Sequence, residues 1–153
     1  MPIDQRRLPL GRTAKSALVL ELLLSVGALG GGLVLMLAPR GEILPLPLSA
    51  LVGSPFETYF VPGLILFGVL GLGPLVAANL VWLRHPLAPA AAFVVGAALV
   101  TWVGVEVAII GYSNEPPLQA IYMVIAVAIL LVAIRWFWEV GFSASHADMR
   151  PYG

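Results

Sequence analysis

Residues 87–112 read LAPAAAFVVGAALVTWVGVEVAIIGY, a run with a single charged residue, Glu106. At about 1.5 Å of rise per residue, a helix over this run covers the roughly 30 Å of a bilayer's hydrocarbon core. Three further runs share its character, at 17–38, 59–83 and 118–138. The chain has 153 residues, of which 60% are hydrophobic and only 10% charged. Its mean hydropathy is +0.99. Soluble domains carry about a quarter charged residues. The composition therefore points to a multi-pass membrane protein and argues against a soluble enzyme or a disordered chain. The formal net charge is zero, so no basic footprint for nucleic acid exists. There is no cysteine, which excludes disulfides, thiolate metal sites and thiol redox chemistry together.

The fold expected is all-α: an integral-membrane four-helix bundle with antiparallel up-down connections. Residues 1–16 form a basic tail, 17–138 the four-span bundle and 139–153 a loose polar tail. Between the first two spans, residues 39–58 carry Pro39, Pro45, Pro47 and Pro55. These forbid a continuous helix. The segment keeps Ile43, Leu44, Leu46, Leu48, Leu51 and Val52, so it is expected to lie as an outer interfacial cap on the bundle. Pro74, following Gly71 and Gly73, predicts a kink in the second span.

Charge sets the expected orientation. Arg6, Arg7, Arg12, Lys15, Arg84, Arg135 and Arg150 fall on one side of a four-span topology and only Arg40 on the other. Loops rich in Lys and Arg stay cytoplasmic, so both termini are expected there. Trp82, Trp136, Phe137 and Trp138 then mark the inner interface, and Tyr59, Phe60 and Tyr112 the outer one. In lipid, small residues let helices approach. Ser25, Ala28 and Gly32 make one such stripe, following Glu21 at helical spacing.

Ionisable groups inside spans mark candidate sites, because each costs at least about 2.5–3.5 kcal/mol at mid-helix. Glu21 lies roughly 7 Å inside the first span, with Asn79 and Arg135 at similar depth as expected partners. The pairing reads as a structural clamp or a proton-coupling site. Glu106 lies roughly 9 Å from the outer end of the third span. Trp102 precedes it by one turn, and Gln119 and Tyr122 lie at comparable depth in the fourth span. These four are expected to form one outward-facing polar pocket, with Arg40, Glu42 and Glu57 closing over it. No catalytic residue is assigned: the chain has no Ser/His/Asp set, phosphate loop or HExxH motif. His85 and His146 lie outside the spans, so no metal or cofactor site is expected.

Several segments carry a resemblance. They are Ser54-Pro55-Phe56-Glu57, Val61-Pro62-Gly63-Leu64, Gly71-Leu72-Gly73, Leu75-Val76-Ala77-Ala78, Trp102 through Gly111, and Leu118-Gln119. Over roughly residues 17–134 the chain resembles short four-span inner-membrane proteins of actinobacterial type that have no assigned activity, and more loosely DoxX-like four-helix membrane proteins. The resemblance implies a four-helix fold in a bacterial inner (plasma) membrane and no particular substrate.

The function expected is binding of a lipid, a small apolar ligand or a membrane partner through the pocket around Glu106. An alternative is a proton-coupled transporter acting as a homodimer with Glu21 or Glu106 as the coupling carboxylate; very small four-span multidrug transporters carry one such glutamate in their first span. A third is a lipid-modifying enzyme using one carboxylate and aromatic stabilisation. Expected partners are membrane lipids, a second copy of the chain or a larger membrane complex.

Overall fold

A computed structural model describes residues 10–44, 46–112 and 117–148, with side chains as far as 140. The basic residues Arg6, Arg7 and Arg150, Pro45 of the proline-rich segment, residues 113–116 and the His146 side chain lie outside the described residues. Among the described residues four long helices make up the fold: α1 (Arg12–Leu37), α2 (Phe60–Trp82), α3 (Ala88–Ile110) and α4 (Leu118–Asp148). All four are long and apolar enough to cross a membrane, and no strand occurs among the described residues. The helices pack as a ring in chain order, with α1 and α3 each seated between α2 and α4.

Two boundaries differ from expectation. The first helix starts at Arg12, not at the apolar run. Arg and Lys are good helix formers, so Arg12 and Lys15 extend the helix past its apolar part. The fourth helix runs on to Asp148, so the segment expected to be loose is helical through most of its length. Hydropathy marks where the apolar stretch ends, and the helix continues beyond it.

The interior is built from small residues. Ala77, Ala92, Ala126 and Ala133 are buried, and Leu24, Leu70, Leu99 and Ile129 fill the spaces between them. Large apolar side chains such as Val26, Val94, Val124 and Leu131 point outward. In a soluble protein that distribution would be reversed. It suits helices in lipid, where close backbone contact replaces the hydrophobic drive.

The contact between α1 and α2 shows how this works. Ser25, Ala28 and Gly32 are all buried, as their spacing predicts. A Cβ on Gly32 would stand 2.6 Å from the Phe67 backbone nitrogen and 2.8 Å from the Gly63 carbonyl oxygen. Only glycine permits that approach. Deeper in the same contact, α2 carries a π-helical segment over Leu66–Leu72. Pro74 explains it: proline lacks the N–H that the Leu70 carbonyl would accept from, and its ring presses on that turn. The expected kink is thus a wide turn inside a continuous helix. The Ser25 hydroxyl donates to the Gly71 carbonyl at 2.8 Å, tying α1 to the disturbed turn.

The proline-rich connection is an ordered cap. The Tyr59 backbone N–H donates to the Pro39 carbonyl at 2.8 Å and closes its base. A 3₁₀ turn, Leu48–Leu51, crosses it and buries Leu51. The Tyr59 hydroxyl donates to the Pro47 carbonyl at 2.9 Å, and the Ser54 hydroxyl to the Leu51 carbonyl at 2.8 Å. Tyr59 is consequently buried, packed beneath the cap. Its hydroxyl is engaged in holding the cap. Phe60 and Tyr112 are exposed, as are Trp82 and Trp138 at the opposite end.

Candidate functional site

The third helix places Trp102 and Glu106 one turn apart, and so on the same face. That face looks under the cap. Between them lies a cavity of about 170 Å³. Leu46, Leu51 and Phe56 of the cap line it from one side, with Tyr59 and Pro62 where α2 begins. Trp102, Glu106 and Ile109 line it from α3. A cavity of about 150 Å³ admits a benzene-sized guest, so this one takes a compact group of that bulk. Among the described residues lining it, Glu106 alone carries a charge.

The Glu106 carboxylate has one protein partner of note. The side-chain amide of Gln119, in the first turn of α4, donates to it. Gln119 is buried and its Nε2 also donates to the Gly111 carbonyl, at 3.0 Å. Gly111 ends α3 with φ of +77°, a backbone geometry that glycine adopts without strain. The amide therefore braces the exit of α3 and the glutamate together. A carboxylate offers about four acceptor sites, and one amide meets only part of that capacity.

The four residues expected in one pocket divide. Trp102 and Glu106 line the cavity, and Gln119 stands behind Glu106. Tyr122 does not line it. Its hydroxyl instead reaches α1, where a Cβ on Gly27 would stand 3.3 Å away. Depth placed Tyr122 correctly along the bundle axis, but its direction around α4 turns it to another neighbour. The cap does close over Glu106, though with Leu46, Leu51 and Phe56 rather than with charges. Arg40 and Glu42 engage each other locally, the Arg40 backbone N–H donating to Glu42 Oε2 at 3.0 Å. Glu57 is exposed. Phe56 and Tyr59 are cavity residues that sequence reasoning missed; the prolines flanking them signalled an ordered cap, but not which side chains it turns inward.

The second expected cluster, Glu21 with Asn79 and Arg135, is not formed. Arg135 pairs with Glu139 one turn on, Nε to Oε1 at 2.9 Å. The same oxygen accepts from the Thr13 hydroxyl at 2.8 Å, joining the start of α1 to α4. Asn79 is exposed on α2. Glu21 is fully enclosed at 0% exposure, and neither carboxyl oxygen has a hydrogen-bond partner among the described residues. With α1 starting at Arg12, it stands about 13 Å from the start of the helix. A long arginine near the end of an apolar stretch gains more by reaching water than by entering an apolar core, which explains the separation. No group of three or more His, Cys, Asp or Glu that would hold a metal occurs among the described residues.

No family model, curated protein or solved structure matches this chain.

Proposed function

We propose that this chain is a small multi-pass protein of a bacterial inner membrane, with both termini cytoplasmic, that binds an amphiphilic or small apolar ligand in the outer cavity beside Glu106. The supporting observation is the cavity itself: an apolar chamber, roofed by an ordered cap, with one carboxylate in its wall. Ligand sites are typically apolar hollows with a few placed polar groups, and an ionisable residue retained at membrane depth marks function by default. The surplus of Lys and Arg at the end opposite the cap supports the orientation, and the resemblance to short actinobacterial four-span proteins supports the compartment. Native mass spectrometry of the protein released from detergent tests the reading. The wild type should retain a ligand that Glu106→Ala and Trp102→Ala lose; a wild type that carries nothing, and takes up nothing from added lipid, contradicts it.

A second reading has its own support. Glu21 sits in the bundle interior with neither oxygen partnered among the described residues, as a carboxyl group that exchanges a proton during transport would. Proton-coupled transport, with the chain acting as a homodimer, then runs through Glu21, while Glu106, braced by Gln119, keeps a binding role. Flux into liposomes under a pH gradient should vanish in Glu21→Gln; flux that persists rejects it.

A further inference from the structure

Three aromatic side chains from three separate segments meet at the cavity: Phe56 from the cap, Tyr59 from the turn into α2, and Trp102 from α3. The Glu106 carboxylate stands one turn from Trp102 in the α3 wall. Aromatic rings present a negative face to a cation, and enclosures of several such rings are a recurring way of recognising ammonium groups whose methyls prevent ordinary hydrogen bonding. A carboxylate in the same wall supplies the formal counter-charge. We infer that the cavity recognises a lipophilic amine, with its alkylated ammonium group among Phe56, Tyr59 and Trp102 and against Glu106. The inference rests on the binding role proposed above for the same cavity and names the chemistry of its ligand.

Size and charge narrow the ligand. The cavity's volume of about 170 Å³ accommodates a trimethylammonium-sized head, whose bulk is close to the benzene that a slightly smaller cavity admits. The hydrocarbon of the same molecule can follow the apolar wall toward lipid. A zwitterionic phospholipid would bring a phosphate beside its ammonium. No Lys or Arg lines the cavity among the described residues to meet it, and Glu106 would repel it. A free single-chain amine therefore fits better than a lipid headgroup. Bonding to Glu106 also answers the glutamate's own cost, since the ammonium offsets a charge that the apolar wall does not solvate.

The test uses the full chain in a sugar-based non-ionic detergent, with calorimetric titration of three probes. Dodecyltrimethylammonium is the amine, its all-carbon tert-butyl isostere is the neutral control, and dodecylphosphocholine carries the same head with a phosphate. The amine should bind at least about tenfold more tightly than the isostere, a gap of about 1.4 kcal/mol. Glu106→Gln should erase that gap while still binding the isostere, which shows that the cavity remains folded. Trp102→Leu should weaken the amine several-fold more than the isostere. Equal binding of amine and isostere in the wild type overturns the ammonium assignment and leaves the apolar-ligand reading standing. Failure of every probe to bind overturns both. Phosphocholine binding as tight as that of the amine moves the source to a lipid headgroup and overturns the free-amine assignment.

Discussion

Gln119 and Glu106 meet across the contact between α3 and α4, the buried amide donating to the glutamate that walls the outer cavity. Because Gln119 Nε2 also caps the Gly111 carbonyl at 3.0 Å, one side chain both fixes the end of α3 and orients the charge. Gln119→Leu removes both bonds, whose acceptors are only partly buried or exposed. A loss of about 1 kcal/mol is expected, or a fall in Tm of a few degrees for a chain of this size. Thermal unfolding in detergent measures it. An unchanged Tm would mean that the amide braces nothing.

The approach of α1 to α2 makes a sharper structural prediction. Gly32→Ala drives a methyl group into the backbone of Phe67 and Gly63, which cannot step aside as a side chain can. Overpacking of this kind costs about 1–3 kcal/mol. Gly104→Ala is the control, because nothing lies within 4 Å of the position its Cβ would take. The first variant should unfold at lower temperature than the wild type and the second should not. Equal stability of the two would show that the helices stand further apart.

The cap is held at a point that one oxygen atom can test. Tyr59→Phe keeps the buried ring and deletes the hydroxyl that donates to Pro47. About 1 kcal/mol of local stability should go with it. Limited proteolysis within 46–58 should quicken while the helices stay protected. Cleavage at the wild-type rate would contradict the tether.

How much of this was legible in the sequence follows from what hydropathy encodes. Apolar length located all four helices, proline spacing located the cap, and the four-residue interval from Trp102 to Glu106 put both on one face. Direction around each helix was less accessible. These helices are apolar on nearly every side, so no polar face announces which residues turn inward. Depth alone therefore grouped Tyr122 with Glu106, and Arg135 with Glu21. In the fold Tyr122 turns toward Gly27 and Arg135 pairs with Glu139. The stripe of Ser25, Ala28 and Gly32 was readable because small residues mark the close face whatever the hydropathy around them. Phe56 and Tyr59 went unread as cavity walls because an aromatic beside a span has the composition of an interfacial belt.

Glu21 supplies a prediction with an unusual sign. A buried carboxyl without a partner lowers stability, so replacing it with an apolar side chain of similar size should help. Glu21→Met is expected to raise stability by about 1–3 kcal/mol. Most substitutions in a packed interior do the opposite, so a rise in Tm is diagnostic. A fall of similar size would reveal a partner for the carboxyl.

Because the chain contains no cysteine, single cysteines report topology without background. Ser49→Cys in the cap should react with a membrane-impermeant maleimide added to intact cells. His85→Cys, in the turn between α2 and α3, should react only after the membrane is opened. The reverse pattern would invert the proposed orientation.

The proposed function requires a ligand in the cavity under the cap. Photolabelling with a diazirine-bearing dodecyltrimethylammonium in vesicles, followed by peptide mapping, tests it most directly. The predicted result is saturable label on the segments 46–59 and 102–110, displaced by excess unlabelled amine. Label spread in proportion to lipid exposure, over Val26, Val124 and Leu131 as much as over Phe56 and Trp102, and undiminished by competitor, would contradict it.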